Sequence, residues 1–108
     1  IFRAPNMGDY QPTEQEIAAI IQQWGTWIGG IAKTGKLVRT HEVGQESAVI
    51  DAAANVRPGK EVFSKVKEVT SGYMIVKAET LKEATSLAKG CPVLAYGGDV
   101  VVYSVVQH

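Results

Sequence analysis

The sequence predicts an α+β domain in which two split β-α-β units share one antiparallel sheet, with both helices on the same face. Three observations point there: two amphipathic helices, each opened by a capping signature; apolar strands punctuated by glycine; and the order in which they alternate. The first helix begins where Thr13 and Glu16 have the spacing of a capping box, with Pro12 just before the cap. Ile17, Ile20, Ile21, Trp24, Trp27, Ile28 and Ile31 then recur at three- and four-residue steps, which puts them on one face. Gly35 is its natural stop. Gly25, Gly29 and Gly30 inside the helix cost about 1 kcal/mol each relative to alanine, and close packing against a sheet is the expected reason for them. The second helix repeats the grammar: Thr80 and Glu83 as a capping box, Leu81, Ala84, Leu87 and Ala88 as the stripe, Gly90 and Pro92 as the close.

The strands complete the order. Ile1 to Arg3 reads as the tail of a first strand, which leaves room for a few residues upstream of it. Leu37 to Val43 follows the first helix, and Ser47 to Asp51 with the Pro58-Gly59 turn forms a hairpin-like insertion. Tyr73 to Ala78 precedes the second helix, and Asp99 to Val106, introduced by Gly97-Gly98, is the strongest strand. Strand, helix, strand, insertion, strand, helix, strand is the ferredoxin-like arrangement. No repeat or linker interrupts residues 1–108, so one domain is expected.

Composition narrows the function. A chain of 108 residues buries roughly two-thirds of its unfolded surface, and its 45% hydrophobic and 20% charged content is that of a globular protein. Eleven basic residues balance eleven acidic ones, so there is no long-range positive field and no nucleic-acid partner is expected. No apolar run approaches a membrane span. A lone cysteine, Cys91, cannot form an internal disulfide, which favours a reducing, cytoplasmic setting.

The last strand carries an argument for a partner. Val100, Val102 and Val106 point one way, and Val101, Tyr103 and Val105 the other; Tyr73 to Val76 is similarly two-sided. Two helices cover only one face of a sheet, so a second sheet must cover the other, and a homodimer packing sheet on sheet supplies it.

Several stretches resemble the YCII-related (DGPF-type) family: Ser71-Gly72-Tyr73-Met74-Ile75-Val76, Thr80-Leu81-Lys82-Glu83-Ala84, Lys89-Gly90-Cys91-Pro92-Val93-Leu94 and Tyr96-Gly97-Gly98-Asp99-Val100. In the N-terminal half, Phe2-Arg3, Trp24-Gly25-Thr26-Trp27-Ile28 and Gly35-Lys36-Leu37-Val38 are similar too. The resemblance implies a ferredoxin-like fold, a dimeric α/β barrel and a cleft at or near the dimer interface. One departure stands out. Where the family has Asp-Gly-Pro-Phe, this chain reads Lys60-Glu61-Val62-Phe63, so only Phe63 matches. A helix histidine and an aspartate proposed as a catalytic pair in another branch of the superfamily cannot be carried over, since the first helix has no histidine.

Candidate site residues are few. Leu37, Arg39, His41 and Val43 share one face by two-residue alternation, and on a covered face Arg39 and His41 would look into the cleft. His41 is the catalytic candidate as a proton carrier; the plainer reading is a histidine hydrogen-bonded at a strand end. Arg3 matches the family's arginine and either binds an anionic substrate bidentately or pairs with Asp9 or Glu42. Tyr73, at the head of a core strand, offers its hydroxyl at a rim. Arg3, Arg39 and Tyr73 are therefore the substrate-binding candidates. Asp51 is a further polar candidate, and Asp99 reads as a turn residue. Trp24 and Trp27 are anchors of the core or of an interface. Cys91 reads as a buried, inert thiol.

No metal-ligand spacing, phosphate-cradling loop or nucleophile motif is present, so no cofactor is expected. Two readings follow. One is a small-molecule-binding protein or metal-independent acid–base enzyme with its cleft between two copies. The other is a non-catalytic interaction module, for which the resemblance supplies a context: genes of the family often accompany sigma factors of the extracytoplasmic-function type.

Overall fold

The computed structural model describes residues 1–7 and 10–106. Its elements are β1 (Phe2–Pro5), α1 (Glu14–Lys33), β2 (Leu37–Glu42), β3 (Ala48–Ile50), β4 (Val56–Pro58), α2 (Gly59–Val62), β5 (Glu68–Val76), α3 (Leu81–Ala88), a 3-10 turn (Pro92–Tyr96) and β6 (Asp99–Val100). The main sheet has the order β2-β5-β1-β6, with every neighbouring pair antiparallel. This is the ferredoxin-like order expected. The sheet is open, with no barrel closed by this chain. The insertion is a separate two-stranded hairpin of β3 and β4.

Both helices start where their sequence signatures place them, after Thr13 and Thr80. Thr13 Oγ1 accepts the Glu16 N–H at 3.1 Å, and the Glu16 carboxylate accepts the Thr13 N–H at 3.3 Å, closing the capping box of α1. The helix ends at Gly35, whose φ of +75° suits glycine. The α3 cap is half a box. Thr80 Oγ1 accepts the Glu83 N–H, but the Glu83 carboxylate turns to the Glu79 N–H and to Lys36 Nζ, 2.6 Å away, because a cation on the β2 approach outcompetes the neutral Thr80 amide.

The core is small and aromatic. Phe2, Cys91 and Val93 are buried, and Trp24, Trp27, Met74 and Val100 pack against them. Phe2 meets both tryptophans edge-on, at ring-centroid distances of 4.9 and 5.6 Å. The two tryptophans are thus core anchors. Cys91 is buried, and desolvation pushes its thiol pKa up.

Several expectations need correction. The final strand does not run to Val106. Its ladder covers Asp99 and Val100 and ends with Val101, which exchanges both backbone hydrogen bonds with Ile1. Residues 102–106 have no strand beside them among the described residues, and Tyr103, Val105 and Val106 are exposed. By contrast β5 starts five residues earlier than Tyr73, because β1 supplies a partner down to Glu68. Pro58-Gly59 is the entry to α2 rather than a simple turn. Gly25, Gly29 and Gly30 meet nothing within 4 Å of where a Cβ would stand, so no sheet packs closely on them. The glycines that do permit close approach are elsewhere: a Cβ on Gly98 would come within 2.4 Å of the Arg3 carbonyl oxygen and of Val93 Cγ2.

A bulge alters the face assignment on β2. Leu37 lies opposite Val76 but Arg39 opposite Ile75, so Val38 is the extra residue. Thr40 sits opposite Met74, which faces the helices, while His41 sits opposite Tyr73. Arg39 and His41 therefore share the face away from the helices, and Leu37 is turned to the other side. The shape fits this: extents of 43 × 42 × 18 Å describe a slab one helix layer plus one sheet thick. The radius of gyration, 15.6 Å, exceeds the roughly 13 Å typical of this chain length. One sheet face stays uncovered.

Candidate functional site

The uncovered face collects polar side chains from all four strands. Phe2 and Val100 pack into the core, so their neighbours Arg3 and Asp99, paired with each other across β1 and β6, face the opposite way. Register places Thr70 opposite Arg3, Tyr73 opposite His41 and Ile75 opposite Arg39. Two clusters result.

The first joins His41 and Tyr73. His41 Nδ1 lies 2.8 Å from the Tyr73 hydroxyl, with ring centroids 5.6 Å apart. Direct strand pairing brings them together, and Thr40 Oγ1 donating to the Tyr73 carbonyl at 2.8 Å locks β2 to β5 at that level. When the tyrosine hydroxyl donates to Nδ1, the proton of a neutral imidazole sits on Nε2 and is free to donate outward. When the imidazole is charged, both nitrogens donate and the tyrosine oxygen accepts. The pair can pass through both states without moving either residue. His41 is exposed and Tyr73 half-buried, so a ligand on this face can reach Nε2. Arg39, two residues away on the same face, makes no ion pair with any described residue.

The second cluster surrounds Arg3. Its Nε donates to Asp99 Oδ1 at 2.7 Å and its Nη2 to Asp99 Oδ2 at 2.6 Å. Glu68 Oε2 stands 3.1 Å from the same Nη2. The bidentate bond holds the Asp99 carboxyl below the usual carboxylate range and raises the Arg3 guanidinium further. With two carboxylates on one guanidinium the cluster is net negative. Its arginine fork is taken up by the protein's own acids.

Two-residue alternation puts Arg39 and His41 on one face of β2, where they stand, while Tyr73 joins them only through the β2–β5 register. Of the two acids expected as alternatives for Arg3, Glu42 is not among its ion-pair partners and lies near the Tyr96 side, and Asp9 falls outside the described residues, as does His108. The partners that sequence reasoning missed are Glu68 and Asp99. Asp99 begins β6, where the last strand is expected to start, and it sits opposite Arg3 rather than serving as a turn residue. The usable signal was its place directly before an apolar strand that had to pair with the Arg3 strand. Asp51, the other acid singled out, caps its own loop by accepting from the Ala53 and Asn55 amides, which lowers its pKa, and it stands on the hairpin away from this face.

Among the described residues no group of three or more histidine, cysteine, aspartate or glutamate side chains stands close enough to hold a metal ion. No described helix is long and apolar enough to cross a membrane. The segment that departs from Asp-Gly-Pro-Phe forms α2, and its end is tied to the exit of β1 by Asn6 Nδ2, which donates to the carbonyls of Phe63 and Val66 at 3.0 and 2.8 Å. The family model of the YCII-related domain matches residues 6–107 of the 108-residue chain, and the chain belongs to that family. No curated protein matches it.

Proposed function

We propose that this YCII-related protein binds a small anionic molecule on the uncovered sheet face, in a cleft closed by a second copy of the chain, and that His41 and Tyr73 exchange a proton with it without a metal ion. The observation that carries this reading is the 2.8 Å bond between His41 Nδ1 and the Tyr73 hydroxyl on an exposed face, beside an arginine with no ion-pair partner among the described residues. A histidine whose Nδ1 is occupied and whose Nε2 is accessible is oriented as a general acid or base is. Arg39 supplies the fork for a carboxylate or phosphate. Arg3 has a different part: it ties β1 to β6 and holds the Asp99 carboxyl ionised at the edge of the same face. A dimer is supported by the uncovered sheet and by Ile75, which is 38% exposed beside Arg39.

The test joins mass and binding measurements. Sedimentation equilibrium should give a dimer. Titrating small carboxylates and phosphates while following the His41 ring resonances should shift them in the native chain and leave them unmoved in Arg39→Ala. A dimer whose His41 resonances respond to no such compound favours the second reading, a non-catalytic interaction module in the same regulatory setting the family resemblance implies. The exposed Tyr103 and Val105 side chains are what speak for that alternative.

A further inference from the structure

The uncovered sheet face is charged unevenly. Its positive pole is Arg39 with His41 on β2, and Arg39 pairs with no acid among the described residues. Its negative pole is the Arg3 cluster, where two carboxylates share one guanidinium and leave a surplus negative charge. Glu68 is the looser of the two acids. Its Oε2 meets Arg3 Nη2 at 3.1 Å, whereas Asp99 takes two shorter bonds from the same guanidinium. The Glu68 side chain is 37% exposed, open to a second cation.

Register keeps the poles apart within one chain. Arg39 lies opposite Ile75, near the end of β5, and Glu68 is the first residue of that same strand. At about 3.4 Å of rise per residue the two stand roughly 20 Å apart, beyond the reach of both side chains. The unpaired cation and the surplus anion of one copy cannot neutralise each other.

Two copies can. A two-fold axis lying in the plane of the sheet and running across the strands sets the Arg39 end of one face over the Glu68 end of the other, and symmetry repeats the contact. Strands of the two sheets then run nearly antiparallel, within the aligned packing of about 30° that twisted sheets favour. We propose that a second copy docks on this face in that orientation, with Glu68 of each copy pairing with Arg39 of the other, so that the site is built from two chains. This rests on the dimer of the proposed function and adds its orientation and the residue that the second copy contributes. Tyr73 lies between Glu68 and Ile75 on β5, so each His41–Tyr73 pair stands between its own Arg39 and the Arg3 cluster, close to the two-fold. The five N–H donors of Arg39 let one edge of its guanidinium meet the second copy's Glu68 while the other stays available to a ligand.

Sedimentation equilibrium of charge-reversed chains tests the contact. Arg39→Glu and Glu68→Arg should each weaken the dimer at least about tenfold, since like charges then face each other twice. An equimolar mixture of the two should dimerise as the native chain does, because one contact joins the two reversed charges and the other the two native ones. A mixture no tighter than either variant alone overturns the proposal, as does a native dimer that neither reversal weakens; both results leave the closed cleft standing. A native chain that stays monomeric removes cleft and contact together. Near-UV circular dichroism checks each fold, because Glu68→Arg sets a second cation beside Arg3. The neutral variants Arg39→Gln and Glu68→Gln avoid that strain: the double variant should lose no more than the larger single loss, and fully additive losses count against the pair.

Discussion

Arg3 and Asp99 form a bidentate ion pair, at 2.7 and 2.6 Å, that ties β1 to the edge strand β6. Because the pair depresses the folded-state pKa of Asp99, its contribution is complete above the ordinary aspartate value and is lost as pH falls through the lower folded value. Urea midpoints at pH 7 and pH 3 should therefore fall further in the native chain than in Asp99→Asn. Equal losses would remove the pair from the acid sensitivity of the fold.

The His41–Tyr73 bond fixes which imidazole nitrogen is occupied. Tyr73→Phe should redistribute the His41 tautomers, read from the ring nitrogen shifts, while costing stability no more than about 1 kcal/mol. Unchanged nitrogen shifts would mean that the bond does not persist in solution, and the proton-exchange role would fall with it.

Phe2 is the keystone of the aromatic core, 4% exposed and edge-on to both tryptophans. Phe2→Ala should cost about 3 kcal/mol or more and change the tryptophan fluorescence at once. A loss below about 1 kcal/mol would show that Val93 and Cys91 close the space without it.

Two alanine substitutions should act in opposite directions. Gly98→Ala drives a Cβ to 2.4 Å from the Arg3 carbonyl and from Val93 Cγ2, so it should destabilise the β1–β6 edge. Gly25→Ala meets nothing within 4 Å and should stabilise α1 by up to about 1 kcal/mol. Thermal melts of both variants decide the matter. A destabilising Gly25→Ala would reveal a close neighbour on α1, such as a partner copy.

Helix α3 hangs on two polar ties: Trp27 Nε1 donates to the Leu87 carbonyl at 3.1 Å, and Lys36 pairs with Glu83 at 2.6 Å. Its Glu83 carboxyl is held low mainly by Lys36. Lys36→Met should speed amide exchange across residues 81–88 with little change in the β2–β5 ladder. Uniform acceleration in both regions would instead make α3 part of the global unfolding unit.

Local rules were the legible part of this chain. Thr13 and Glu16 place the start of α1 because capping is decided within four residues, and the spacing of Trp24 and Trp27 identifies the core face for the same reason. The ferredoxin-like arrangement followed from the alternation of elements along the chain. Arg39 and His41 were recognisable as one face because strand alternation is nearly context-free, whereas Tyr73 joins them only through the β2–β5 register. The bulge at Val38, which turns Leu37 to the other side, depends on how β2 meets β5 and has no sequence signature.

What the residues alone determined, then, is the fold class, the two helix starts and the polar candidates of one sheet face. Tertiary structure alone decided the rest: that Arg3 is held by Asp99 and Glu68, that the glycines of α1 face open space, and that the valine-rich end pairs only as far as Val101. The division has a physical cause. Caps and periodicity are satisfied by neighbours in sequence, whereas a strand exists only as far as another backbone lies beside it, and an ion pair only where register brings the charges together.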